Sequence, residues 1–200
     1  MPRISAATVA DHRASQHAAL LAAAMEVLAA EGPAGLTPAA VGARVGLARS
    51  SVYRYFSSTA DILAQLVEDA IPRWADRLVT ATRDGGLEER VRAFGAVSLA
   101  FVTSPDHALL RAVAAADLPA ECRHRLDQLH ETMIEPLRGL LAEAGEPHPD
   151  LVAHLGWSIL GEGRRRLAAC AESGADADAD AEVITATTLD VLCRAVLSAR

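Results

Sequence analysis

The sequence predicts an all-α protein: an N-terminal three-helix head on a larger helical body. Three observations carry this. Just over half of the 200 residues are apolar, alanine and leucine dominate, and aromatics are only 4%, a mixture that favours helices packed on helices. Apolar residues recur at helical spacing through most of the chain, and no segment alternates as a strand would. Finally, residues 37–56 (TPAAVGARVGLARSSVYRYF) read as two short helices joined by a tight glycine turn.

The first ten residues are small and polar and are expected to be disordered. A helix follows over about 15–31, with Leu21, Ala24, Met25 and Leu28 on one stripe, and Gly32-Pro33-Ala34-Gly35 ends it. Thr37 is an N-cap, Pro38 suits the first helical position, and Gly46 separates the two short helices. Ser58 and Asp61 have capping-box spacing and open a helix that Pro72 should kink or end. Asp84-Gly85-Gly86 is a break. Further helices are expected over about 87–103, 106–116 and 119–144, with Pro136 a possible splitting point of the last. A loop at 145–149 leads to closing helices near 150–172 and 179–198, joined by a polar Ala-Asp repeat.

Composition narrows the function classes. The run Ala18–Met25 lies behind Arg3 and Arg13 as a signal peptide would. Glu26 interrupts it and a further apolar turn follows, so an ordinary helix is the better reading, and no membrane partner is expected. Cys122, Cys170 and Cys193 are odd in number and widely spaced, which fits a reducing cytoplasm rather than a disulfide framework. All basic residues are arginines. Residues 1–60 hold five of them against Asp11, Glu26 and Glu31, a net of +2, whereas the rest of the chain carries −9 of the total −7. A basic head on an acidic body suits binding to nucleic acid through the head alone.

Within residues 37–56, Val41, Val45 and Val52 face inward, while Arg44, Arg49, Ser50, Ser51, Tyr53, Arg54 and Tyr55 can project outward. A helix-turn-helix lays its second helix in the DNA major groove, where short polar and cationic side chains read base edges. Arg49 and Ser50, early in that helix, suit base contact. Tyr53 and Tyr55 suit phosphate contact through their hydroxyls, with Tyr55 the better candidate for a structural role. Thr37 can cap its helix and offer phosphate a hydroxyl, and Phe56 is expected in the core.

Residues 20–63 resemble the N-terminal DNA-binding domain of the tetracycline-repressor (TetR) family. The match lies in Leu20-Leu21-x-Ala23-Ala24 through Leu28, Gly32, Thr37, the Val41-to-Leu47 stretch, Tyr53-Arg54-Tyr55-Phe56 and Ile62-Leu63. The resemblance implies a homodimeric regulator whose variable C-terminal body binds a small molecule. Two positions depart from it: Ala48 stands where a capping serine is common, and Thr59 where a phosphate-contacting lysine is usual.

In the body, Trp74, Phe94, Ser98, Phe101, His107, Arg111, His130, Met133, His154 and Trp157 stand out from an Ala/Leu background. They are candidate lining for a ligand cavity between helices. Cys122, His124, Asp127, His130 and Glu131 are the nearest thing to a metal cluster, but a solvated polar face is the preferred reading, and no metal or cofactor is expected. Arg164-Arg165-Arg166 reads as a solvated or salt-bridged patch, with an anionic ligand or a partner subunit's acids as the sharper alternative. The last helix is apolar nearly all round, which predicts burial on every side. Val152, Leu155, Gly156, Ile159, Gly163 and Leu167 on the preceding helix, with Ile184, Val191, Leu192 and Ala195 on the last, are the expected dimer interface, a four-helix bundle.

The expected protein is therefore a head at 1–60 and a ligand-binding and dimerisation body at 61–200. It would bind a two-fold symmetric double-stranded DNA operator as a homodimer, most simply as a repressor released by a small-molecule effector. The alternative is a small-molecule- or metal-binding helical protein with a weakened head. An enzyme is not expected, since no phosphate loop or nucleophile motif is present.

Overall fold

A computed structural model describes residues 6–104, 106–116, 118–173 and 177–197, and among them every regular element is helical. In order these are α1 (Ala6–Gly35), α2 (Pro38–Arg44), α3 (Arg49–Val52), α4 (Thr59–Ala81) and α5 (Leu87–Ala100). A 3-10 turn (Phe101–Thr103), α6 (Asp106–Ala115), α7 (Ala120–Glu143), α8 (Pro149–Ser173) and α9 (Ala177–Leu197) follow. The chain forms two compact units, Met1–Asp69 with Pro105–Leu126, and Ala70–Ser104 with Asp127–Arg200. The first takes in more than residues 1–60, because α6 packs on α1.

In the first unit, Leu20, Ala24, Val27 and Leu28 of α1 are buried with Val41, Val52, Phe56 and Ile62. By length and composition α1 could cross a bilayer, yet this apolar stripe is consumed inside the unit. At Gly32 the backbone turns into the left-handed region (φ 69°), so the regular helix stops where the sequence predicted. Residues 6–10 are helical rather than disordered, continuing α1 toward its N-terminus; residues 1–5 lie outside the described residues.

The second unit has its own core, centred on Leu78, Phe94, Leu137, Trp157, Leu160 and Leu192. Two prolines that were expected to interrupt helices do not. Pro72 sits on the exposed side of α4, where the lost ladder bond faces water, and the helix is held by buried Ile71, Trp74 and Leu78. Pro136 lies inside an unbroken α7 flanked by buried Ile134 and Leu137. Part of the Ala-Asp repeat is helical rather than loop. Asp178 and Asp180 form the first turn of α9, where carboxylates meet the positive end of the helix dipole; residues 174–176 lie outside the described residues.

Candidate functional site

The helix-turn-helix is built as its sequence dictates. Thr37 is extended, and its Oγ1 accepts the Ala40 N–H at 3.1 Å, with Pro38 at the first helical position. Gly46 adopts φ +70° to end α2. Gly42 is needed for a second reason: its carbonyl accepts the Leu47 N–H at 2.8 Å, and a Cβ there would stand 2.6 Å from the Leu47 oxygen. The turn therefore folds back on α2 backbone to backbone. Ala48 precedes α3 with no side-chain cap, as the missing serine foretells.

A polar chain fixes the recognition segment from behind. Asp61 accepts from the Ser57 N–H at 2.7 Å and from the Ser57 hydroxyl, while Ser58 Oγ accepts the Asp61 N–H. The expected capping box thus closes one residue early, on Ser57. Gln65 donates to Asp61 at 2.9 Å and accepts from the His17 ring at 2.6 Å; that ring packs on Tyr55 and Phe56. Burial alone would raise the Asp61 pKa, but the Ser57 and Gln65 hydrogen bonds, with Arg125 nearby, hold it below the usual carboxylate value.

The candidate contact residues divide by how they are held. Arg49, Ser50, Tyr53 and Arg54 are exposed, and Ser51 is half-buried. Arg49 lies over the Tyr53 ring, 5.4 Å from its centroid, and donates to its hydroxyl at 3.0 Å. Arg44 is drawn away from this group: it pairs with Glu31 at 3.1 Å and Glu26 at 3.6 Å. Tyr55 is half-buried and donates to Gln16 at 3.0 Å, tying the segment to α1. Thr59 is half-buried at the start of α4.

Residues 20–66 match the family model of the bacterial regulatory proteins of the tetR family. The helix-turn-helix segment therefore belongs to that family's DNA-binding domain. No curated protein matches the chain's sequence. Solved structures do. A TetR-family transcriptional regulator from Streptomyces coelicolor gives a TM-score of 0.70 at 20% identity, over 90% of this chain and 94% of its own. The transcriptional regulator FadR from Bacillus subtilis, solved in complex with stearoyl-CoA, gives 0.69 at 18% identity, over 89% and 98%. The fatty acid degradation regulator FadR from Bacillus halodurans gives 0.67 at 19% identity, over 87% and 94%. At such identities the likeness is one of fold.

Several of the candidate ligand-lining residues gather in the second unit. Trp157 packs against Phe94 (6.1 Å between centroids) and edge-on to His130 (5.3 Å), and its indole N–H donates to His130 Nε2 at 2.7 Å. Met133 is partly buried against the same core. Trp74 and Phe101 form a separate edge-to-face pair at 4.6 Å, with Arg77 4.6 Å from the Trp74 centroid. Trp74 and Arg77 also border a surface groove of about 500 Å³. Ser98 is 2% exposed and its hydroxyl has no hydrogen-bond partner among the described residues. His154 is engaged by the Asp150 carbonyl and the Glu131 carboxylate instead. His107 and Arg111 belong to the first unit.

The polar stretch around His130 forms no group of three metal-ligating side chains among the described residues. The candidate interface residues also separate. Gly156, Gly163 and Leu192 are buried within the unit; Gly163 approaches Thr188 and Gly156 approaches Leu137 and Val196. Leu155 and Val191 are exposed, as are Leu151 on α8 and Val183 on α9. Ile159, Ile184, Val183 and Val191 line a groove of about 420 Å³ along α8 and α9. Val152 and Leu167 are half-buried, and Ala195 is exposed.

Sequence reasoning passed over Gln16, His17 and Gln65, whose partners lie 39 and 48 residues away. It also passed over the lone behaviour of Arg164, for which a signal existed. Glu162 reaches Arg165 and Arg166 at i+3 and i+4, the spacings that share a helix face, whereas Arg164 at i+2 points elsewhere.

Proposed function

We propose that this chain is a homodimeric, cytoplasmic, ligand-responsive repressor that occupies a two-fold symmetric operator and is released by a small-molecule effector. One observation carries the DNA-binding part. On the exposed side of the helix-turn-helix, Arg49, Ser50, Tyr53 and Arg54 stand together, while the other nearby cation, Arg44, is neutralised by Glu31 and Glu26. Arg49 and Ser50 would read base edges. Tyr53, Arg54, Thr37, Ser51 and Thr59 would hold phosphate, Thr37 through the hydroxyl hydrogen left after its oxygen caps α2. Arg44 and Tyr55 would act by fixing the motif.

Dimerisation is supported by the exposed apolar residues of α8 and α9, Leu155, Val183 and Val191, and by the groove between them. A second copy presenting the same strip would complete a four-helix bundle and set the recognition helices about 34–36 Å apart, or a multiple of that. The stearoyl-CoA bound by the Bacillus subtilis FadR supports a small-molecule effector in the body.

A gel-shift titration against the promoter region beside the protein's own gene tests this reading. The expected result is a sequence-preferring complex whose affinity falls steeply with salt, by roughly one unit of logarithmic slope for each phosphate contact. Arg49→Ala should relax preference at one base pair. Tyr53→Phe should weaken all sequences and also loosen Arg49, so the double mutant should lose less than the two single losses together. Absence of any salt-sensitive complex would sink the repressor reading and leave the body as a binding protein.

A further inference from the structure

Among the described residues, Arg164 on α8 is the one member of its arginine run without an acid. Glu162 pairs with Arg165 and Arg166, and no carboxylate among the described residues lies within ion-pair distance of Arg164. The side chain is partly buried, and its guanidinium carbon sits 4.4 Å from the centroid of the Trp157 ring. Stacking covers one face of the guanidinium and leaves its N–H donors, which lie in the plane, without an acceptor among the described residues. Desolvation, with Arg165 adding a like charge, pushes its pKa down to about 10. A partly desolvated cation with no counter-ion among the described residues gains from an anion that arrives.

The neighbouring histidine supplies a second donor. His130 Nε2 accepts from the Trp157 N–H, so the neutral ring carries its proton on Nδ1, which has no hydrogen-bond partner among the described residues. Desolvation and Arg164 both hold the ring in this neutral form. Asp127 and Glu131 oppose them, and Glu131 is already engaged by Arg138 and His154. Phe94 packs on the same Trp157 ring, and Met133 is packed against the core to which both belong. One helical turn along α5 from Phe94 lies Ser98, buried with its hydroxyl unpartnered. Apolar walls with a few unpaired donors are what an amphiphilic anion requires.

We propose that Arg164 and His130, set against Trp157, receive the oxyanion of an amphiphilic small-molecule effector. A carboxylate and a phosphate share the required chemistry. The proposal deepens the effector-responsive reading above and rests on it only for the consequence of binding, since binding itself is measured on the protein alone.

Calorimetric titration of the full chain with decanoate, decyl phosphate and uncharged decanol tests it. At least one anion should bind at least roughly tenfold more tightly than decanol, and the two anion arms identify the oxyanion. Arg164→Met should weaken that anion roughly ten- to a hundredfold, the worth of a charge-assisted hydrogen bond. Arg164→Lys should retain part of the affinity, and Arg165→Met should change nothing. If Arg164→Met fails to fold, the anion-against-decanol contrast and the lysine variant still decide. Equal binding of decanol, no binding of any probe, or wild-type affinity in Arg164→Met would each overturn the site. A chain that binds an anion through Arg164 but shifts no operator DNA upholds this site and overturns the repressor reading. The reverse result overturns this site alone.

Discussion

In the head, the polar groups that could have wandered are tied down. Asp61, Gln65 and His17 form a continuous chain behind the recognition segment, Tyr55 is bound to Gln16, and Arg44 is held by Glu31 and Glu26. In the body, the cluster around Trp157 is tied on one side only. His130 accepts from Trp157, while Arg164 has no acceptor among the described residues; elsewhere in the same unit the buried Ser98 hydroxyl also lacks a partner among them. The difference separates two ways of using polar atoms. A saturated network fixes one surface in one geometry, as reading a rigid duplex demands. An unsaturated one gives up stability to keep partners free for something not yet bound.

The largest expected effect breaks the saturated side. Phe56 is fully buried, with the His17 ring 5.4 Å from its own, so the core and the polar chain meet at this residue. Phe56→Ala should cost about 3–5 kcal/mol, the usual range for a buried aromatic truncated in place. Urea unfolding followed by circular dichroism would show the loss, and the operator complex should vanish with it. A loss under about 1 kcal/mol would mean that the head does not depend on this junction.

How much of this was legible in the sequence follows from the range of the interactions involved. Thr37, Pro38 and Gly46 act within three or four residues, and each does what local rules require. The uncapped start at Ala48 was equally readable. Pro72 and Pro136 misled, because the packing of Ile71, Trp74, Ile134 and Leu137 outweighs one missing hydrogen bond, and packing is not local. The interface residues were read from periodicity, which marks a helix as apolar all round but does not say which side is covered by its own chain. Gly156 and Gly163 go inward and Leu155 and Val191 outward, a division that only the packing of α8 on α9 decides. The unpaired state of Arg164 was half legible, since the position of Glu162 excludes it from one carboxylate but cannot exclude distant ones.

A middle-sized effect sharpens the same contrast through pH. The folded-state pKa of Asp61 is lowered, so its contribution to stability is present above the unfolded carboxylate value and is lost as pH falls through the folded one. Asp61→Asn should lower stability by about 1 kcal/mol at neutral pH, the scale of a helix cap. It should also flatten the acid limb of Tm against pH below about 4. Arg164→Met should do neither, because an unpartnered cation contributes no ion pair to lose. An acid limb unchanged in Asp61→Asn would place the titrating groups elsewhere.

The smallest effect lies within the body, where two histidines titrate in opposite senses. His154 is raised, chiefly by its hydrogen bond to the Asp150 carbonyl and then by the Glu131 carboxylate, with the Asp150 carboxylate 3.7 Å away. Its contribution is therefore full below the unfolded histidine value and lost as pH rises through the folded one. His130 is lowered, first by desolvation and then by Arg164, so its contribution is full above the unfolded value and lost as pH falls through the folded one. In the wild type the two limbs offset one another. His154→Gln should expose the His130 limb, so that Tm drops as pH falls from about 7 toward 5. His130→Gln should expose the other limb, and Tm should drop as pH rises across the same window. The exposed His154 limb should also shrink at high salt, because its partners face water, while the desolvated His130 limb should persist. Two variants with the same slope would show that these rings do not differ as their surroundings require.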